Sequence, residues 1–134
     1  MALKKGIKQL VAEAMSKITT LSLAEARAKL GQPGVQFVDI RDVRELQHDG
    51  TIPGAVHAPR GMLEFWVDPD SPYFKPVFGG DKQFILFCKS GWRSALATAQ
   101  LVEMGVPHVA HIEGGYTAWQ EAGGPTQAHP RKPG

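Results

Sequence analysis

Cysteine is all but missing: Cys88 is the only one in 134 residues. A single thiol excludes an intrachain disulfide framework and a multi-thiolate zinc site. It also means that no second cysteine of this chain could discharge Cys88 if its sulfur were reactive. An excess of one charge is lacking too. A net charge of +2 leaves no electrostatic footprint for nucleic acid, and no basic stripe marks one. Apolar runs fall far short of membrane-spanning length, and no basic start, apolar middle and small-residue cleavage site suggests secretion. The expectations are therefore no nucleic-acid partner, no membrane, and a cytoplasmic, reducing location. What is present is ordinary, 43% hydrophobic and 21% charged residues in a length suited to one domain with its own core. Fifteen glycines and ten prolines predict many turns and short elements.

At the N-terminus, "LKKGIKQLVAEAMSKI" puts Leu3, Ile7, Leu10, Val11, Ala14 and Ile18 near one face of a helix. Glu13 and the absence of arginine weigh against an organelle-targeting helix. Residues 1–17 are expected to form an amphipathic helix packed on its own domain or on a second copy of the chain, a possible route to a homodimer. Ser22 with Glu25, and Asp42 with Glu45, are capping-box starts for two short helices closed by Gly31 and Gly50. "VQFVDI" (35–40), "GAVHAP" (54–59), "FILF" (84–87) and "HVAHI" (108–112) read as strands. "RSALATAQLVEMG" (93–105) and "GYTAWQEAG" (115–123) read as helices. Residues 62–82, broken by three prolines and rich in aromatics, read as a long ordered loop with a helical turn at its start. The polar, proline-rich tail from Pro125 is expected to be disordered. Strands alternating with helices give an α/β class with a largely parallel sheet.

The most informative unit is the strand at 84–87, the stretch from Cys88 to Arg93, and the helix that follows. Sites in open α/β sheets form beyond the carboxyl ends of strands, where a loop feeds a helix N-terminus. Such a loop can turn several backbone N–H groups inward, and the helix dipole adds partial positive charge. Both favour thiolate over thiol, so a nucleophile there needs no adjacent general base. Gly91 supplies a sharp turn. Lys89 and Arg93 offer cationic donors to an anionic substrate. Ser94 can cap the helix and bring a hydroxyl near the sulfur. A lone cysteine after a buried strand is often a mere core residue, but a core filler needs neither the glycine nor two flanking cations.

The stretch "CKSGWRS" (88–94) resembles the active-site loop of the rhodanese family of sulfurtransferases, which often reads Cys-x-x-Gly-x-Arg. "FVDIRDVRELQHDGTIPGAVHAP" (37–59) resembles the family's Asp-x-Arg strand end and the Gly-x-Ile-Pro-Gly-Ala that follows it. "EGGYTAWQEAGGP" (113–125) resembles its closing Gly-Gly-x-x-x-Trp helix. The three segments stand in family order, and residues 18–125 would form the domain, with 126–134 as a tail. The resemblance implies a three-layer α/β/α fold around a five-stranded, mostly parallel sheet. It also implies covalent sulfur transfer through a Cys88 persulfide, from a small anionic donor such as thiosulfate to cyanide, a thiol or a protein. Lys89, Ser90, Gly91, Trp92, Arg93 and Ser94 would form the substrate cradle, and no cofactor is called for.

Two rivals stand beside this. Cysteine phosphatases and arsenate reductases place five residues between cysteine and arginine, whereas four, Lys89 to Trp92, lie between Cys88 and Arg93. A rhodanese-like module could instead bind or regulate without turnover. Asp39 and Arg41 match the family's Asp-x-Arg. They would either support the active loop or tie strand to helix through Glu45. Arg60, after a strand end on the same side, is a candidate pocket cation. His57 and Trp119 are expected to be structural, and the five histidines (48, 57, 108, 111, 129) form no ligand-like cluster with the cysteine. Phe65, Trp66, Tyr73 and Phe74 would either wall the site or pack as a flap. Trp92 is expected at the mouth, against Trp66 or Phe65, where it would select acceptors.

Overall fold

The computed structural model describes residues 1–130. Within them, helices and strands alternate along the chain. The first helix, α1 (Ile7–Met15), leads to β1 (Thr19–Leu21), α2 (Leu23–Lys29), β2 (Val35–Asp39) and α3 (Val43–Asp49). Next come β3 (Val56–His57), a 3₁₀ turn at Arg60–Met62, α4 (Leu63–Val67) and a second 3₁₀ turn at Pro76–Phe78. Last are β4 (Gln83–Phe87), α5 (Trp92–Met104), β5 (Val109–Ile112) and α6 (Gly115–Glu121). Both capping boxes form: the side chains of Ser22 and Asp42 accept backbone N–H groups of the first turn, and Glu25 and Glu45 reach back to the cap N–H.

All five strands are parallel, in the order β1-β5-β4-β2-β3. The chain builds outward in one direction from β2 and in the other from β4, so the order reverses between these two neighbours. Their carboxyl ends are where an open sheet forms its crevice, and Cys88 directly follows β4. Alternation along the strands splits the core in two. Val38, Leu86 and Cys88 face one cluster with Ala97 and Leu101 of α5, and Phe37, Ile85 and Phe87 face the other with Tyr116 and Trp119 of α6. Helices on both faces of the sheet make the three-layer α/β/α architecture.

Several elements differ from the sequence-based expectation. β1 was not anticipated; its three residues are too few to show a period, and pairing with β5 supplies the order that local propensity does not. The N-terminal helix begins only at Ile7 and packs along α5, burying Ala14 while Leu3, Ile7 and Leu10 stay exposed. The 62–82 segment packs as a flap: Trp66, Phe74 and Phe78 join the core, and Phe65 and Tyr73 pair edge-on at its surface. Disorder was expected from Pro125 onward. Residues 131–134 lie outside the described residues, but the start of the tail is held in place. Thr51 and Gln127 exchange two backbone hydrogen bonds of 2.8 Å, and Trp119 Nε1 donates to Pro125 O at 2.8 Å.

The start of α6 sets the shape of the loop after β4. Tyr116 N donates to Cys88 O at 2.8 Å and Thr117 N to Lys89 O at 3.1 Å. Gly115 makes this approach possible. Its φ is +64°, and a Cβ there would lie 2.6 Å from both carbonyl oxygens. Gly115→Ala is expected to destabilise the fold by roughly 2 kcal/mol or more, measured by urea unfolding, with Cys88 reactivity falling in the same variant.

Candidate active site at Cys88

The loop's polarity follows from that clamp. With the Cys88 and Lys89 carbonyls held outward against α6, the chain turns at Gly91 (φ +110°), the cap of α5. Gly91 N then lies 3.1 Å from Cys88 Sγ, and Ser94 N lies 3.4 Å from it. The sulfur thus sits over the N-terminal end of a thirteen-residue helix with two backbone donors on it. Cys88 is only 1% exposed. Lys89, Ser90 and Trp92 stand on the exposed outer rim.

Arg93, a candidate cationic donor by sequence, is paired in the structure. Its guanidinium grips Glu45 of α3 through two hydrogen bonds of 2.7 and 3.0 Å. That grip holds the Glu45 carboxyl below the usual range and raises Arg93, with a further contribution from the nearby Cys88 sulfur. Glu45 therefore belongs to the site, although its capping-box position in the sequence signalled only a helix start.

A second set of residues lies behind the sulfur. Ser94 Oγ is 3.6 Å from Cys88 Sγ, 3.2 Å from Gly91 O and 2.9 Å from Nδ1 of His111. The opposite ring nitrogen, Nε2, is 3.0 Å from Oγ1 of Thr20, which donates to Met15 Sδ at 3.8 Å. His111 is 2% exposed, and burial lowers its pKa, so the ring is neutral at neutral pH. Thr20 and His111 are register partners on β1 and β5, which explains how residues 91 positions apart meet. Sequence spacing singles out neither, His111 standing there only as one of five histidines with no ligand-like cluster. The one available signal was a histidine standing among apolar neighbours on a strand buried on both faces.

Asp39 and Arg41 are both fully buried and pair with each other. Arg41 Nη2 is 2.8 Å from Asp39 Oδ2 and also donates to Gly50 O at 2.7 Å, and Thr51 Oγ1 donates to Asp39 at 2.8 Å. The tie from strand to helix therefore ends at the carboxyl terminus of α3 and not at Glu45, which Arg93 holds. Arg41 lies 4.3 Å from the Tyr116 ring centre, beneath the residue whose N–H fixes Cys88 O. Arg60 sits at the carboxyl edge of the sheet, its N–H on Ile40 O, and its guanidinium is paired with Glu64 at 2.7 Å. His57 Nε2 meets the Arg41 carbonyl at 2.7 Å, and Trp119 is a core residue at 1% exposure. Trp92 does not meet Trp66 or Phe65. The ammonium of Lys75 covers Trp66, while Trp92 lines a hollow of about 240 Å³ with Val11 and Met15 of α1.

A buried single thiol under inward N–H groups, at the head of a helix and at the switch point of a parallel sheet, can serve as a nucleophile that carries its substrate covalently. Among the described residues no cluster of histidine, cysteine, aspartate or glutamate is disposed to hold a metal, and no helix is long and apolar enough to cross a membrane. Several known proteins are similar to this chain. The human thiosulfate:glutathione sulfurtransferase is 29% identical over 113 residues, covering 80% of this chain and 97% of its own. Thiosulfate sulfurtransferase 16 of Arabidopsis thaliana is 36% identical, covering 71% of this chain and 82% of its own. Among solved structures, a Rhodopseudomonas palustris protein of unknown function, described as a possible tyrosine phosphatase, is 52% identical with a TM-score of 0.91, covering 95% and 98% of the two chains. The polysulfide-sulfur transferase homodimer of Wolinella succinogenes is 30% identical with a TM-score of 0.73, covering 93% and 89%. Residues 22–122 match the rhodanese-like domain as a family, and it is to this family, with its sulfurtransferase members, that the chain belongs.

Proposed function

We propose that the chain is a sulfurtransferase that moves a sulfane sulfur from thiosulfate or a related small anion to a nucleophilic acceptor by way of Cys88. The observation that carries this reading is the sulfur's setting: two backbone donors on a lone thiol, at 3.1 and 3.4 Å, with no second cysteine in the chain to discharge it. In the first half-reaction the Cys88 thiolate attacks the outer sulfur of the donor. The donor's S–S bond breaks, its electron pair leaves with sulfite, and Cys88 becomes a persulfide. In the second, cyanide, a thiol or a protein nucleophile attacks the outer sulfur, and the pair returns to Cys88 Sγ. The loop's N–H groups stabilise the negative charge at both stages. Arg93, paired with Glu45 but still charged and close to the sulfur, shares recognition of the anionic donor with Lys89 and the loop amides. Asp39 and Arg41 support the loop at one remove, through Tyr116. Arg60, paired with Glu64, has the weakest case as a pocket cation.

The name of the Rhodopseudomonas palustris structure raises phosphatase chemistry as a second reading. Two features oppose it. The loop has one residue fewer than a phosphatase cradle, which sizes it for a single sulfur atom. The carboxylate paired with the loop, Glu45, is kept ionised by Arg93 and so is poorly suited to protonating a leaving group. A reducing, cytoplasmic setting suits a persulfide carrier. The exposed Leu3, Ile7 and Leu10 on and beside α1 offer a surface for a homodimer, a state also found in the Wolinella succinogenes relative.

Incubation with thiosulfate is expected to add the mass of one sulfur atom to the protein, none to Cys88→Ser, and later cyanide should release it as thiocyanate. Absence of the adduct in the unaltered chain would reject the enzyme, while an adduct that turns over poorly would favour a carrier or regulatory module. Trp92→Ala is expected to change rates toward bulky thiols several-fold more than toward cyanide, compared by steady-state kinetics; equal changes for both would remove Trp92 from acceptor selection. For the homodimer, sedimentation equilibrium should give twice the chain mass, reverting to one chain in Leu10→Asp.

A further inference from the structure

Cys88 Sγ, Ser94 Oγ, His111 and Thr20 Oγ1 form one continuous hydrogen-bonded line, at 3.6, 2.9 and 3.0 Å, from the sulfur to the hollow beside α1. Val11, Met15, Thr20, Trp92, His111 and Glu113 line that hollow. Each member has one proton to give and at least one lone pair to receive with, provided the imidazole is neutral. Burial makes it so. Such a line can be satisfied in two directions. With a proton on sulfur, Cys88 donates to Ser94, Ser94 to His111 Nδ1, His111 Nε2 to Thr20, and Thr20 to Met15 Sδ. When the sulfur is anionic, Thr20 donates to Nε2, Nδ1 donates to Ser94, and Ser94 donates to the thiolate.

We infer that His111 is a positioning residue which, through Ser94, turns a hydroxyl donor onto the Cys88 thiolate, and that the same line carries the thiol proton away. The balance is complete. The sulfur's proton passes to Ser94 Oγ, the Ser94 proton to Nδ1, the Nε2 proton to Thr20 Oγ1, and Thr20's own proton, once the hydroxyl swings from Met15 Sδ to the opening of the hollow, to bulk solvent. The imidazole ends neutral, with its proton on the other nitrogen, so no buried imidazolium forms. Without His111, the Ser94 hydroxyl has the Gly91 carbonyl as its standing acceptor at 3.2 Å and loses the donor that frees it for the sulfur. This route opens on the α1 side of the loop, so a donor seated over the cradle need not move for the proton to leave. Arg93 from α5, with Glu45 from α3 behind it, is the charged pair by the sulfur, and Glu113 lines the hollow beside His111.

The inference takes Cys88 to be the nucleophile of the proposed sulfur transfer, but its test requires no sulfur donor. Because the chain has one cysteine, its ultraviolet thiolate absorbance, with Cys88→Ser as blank, can be followed against pH. Ser94→Ala and His111→Leu are each expected to shift the rise of that band upward by about one pH unit, the worth of one hydrogen bond to a charged group. The double variant should shift no further than the larger single shift, because both substitutions cut one line. His111→Asn, whose amide restores a donor near the Nδ1 position, should recover most of the change. If His111→Leu does not fold, Thr20→Val substitutes for it, with a smaller shift in the same direction. An unmoved band in these variants, or a double variant shifting by the sum of the singles, would overturn the inference. A chain that accepts no sulfur yet shows these shifts would instead overturn the persulfide reading alone.

Discussion

Two hydrogen bonds from the first turn of α6 to the carbonyls of Cys88 and Lys89 govern the rest of the site. The four-residue connection from Cys88 to Gly91 has a limited number of ways to dispose its peptide groups. Once two carbonyls are drawn outward, the N–H groups that follow must turn inward, and Gly91 with its positive φ completes the turn. The sulfur then rests on the amides of Gly91 and Ser94 at the head of α5. Gly115 is needed because nothing larger leaves room between α6 and the two carbonyl oxygens. The buried Asp39–Arg41 pair belongs to the same support, since Arg41 lies against the ring of Tyr116, one of the two clamping residues.

Charge around the loop is arranged by pairing. Arg93 is paired with Glu45 and Arg60 with Glu64, while two peptide N–H groups at the head of α5 lie directly on the sulfur and Lys89 stands on the rim. Fixed dipoles need no reorganisation as charge moves between the cysteine and a leaving group, which suits the role proposed for Cys88, nucleophile in one half-reaction and leaving group in the other. A flexible cation facing the sulfur would bind donors more tightly, but it would also hold the departing anion.

Much of the fold was legible in the sequence. Capping boxes at Ser22 and Asp42, closing glycines and four apolar strand runs each leave a local mark, because their causes lie within a few residues of chain. The loop from Cys88 to Ser94 was legible for the same reason. Three things were not. β1 is too short to carry a period. The order at Pro125–Gln127 comes from pairing with Thr51, a residue far away in sequence. Trp92 was assigned neighbours in the 62–82 segment, but packing of α1 along α5 brings Val11 and Met15 to it.

Residue identity and short-range spacing alone marked out the candidate nucleophile, the turn that presents it, the helix whose N-terminus it meets and the parallel α/β class. Which partners those groups have is set by the packing of distant segments. Glu45 takes Arg93, α6 takes the loop carbonyls, and β1 beside β5 brings Thr20 to His111 and so completes the line to Ser94. Spacing along one chain sets what a segment can do locally. Contacts between segments 17 to 91 positions apart depend on strand order and register, which no local pattern encodes.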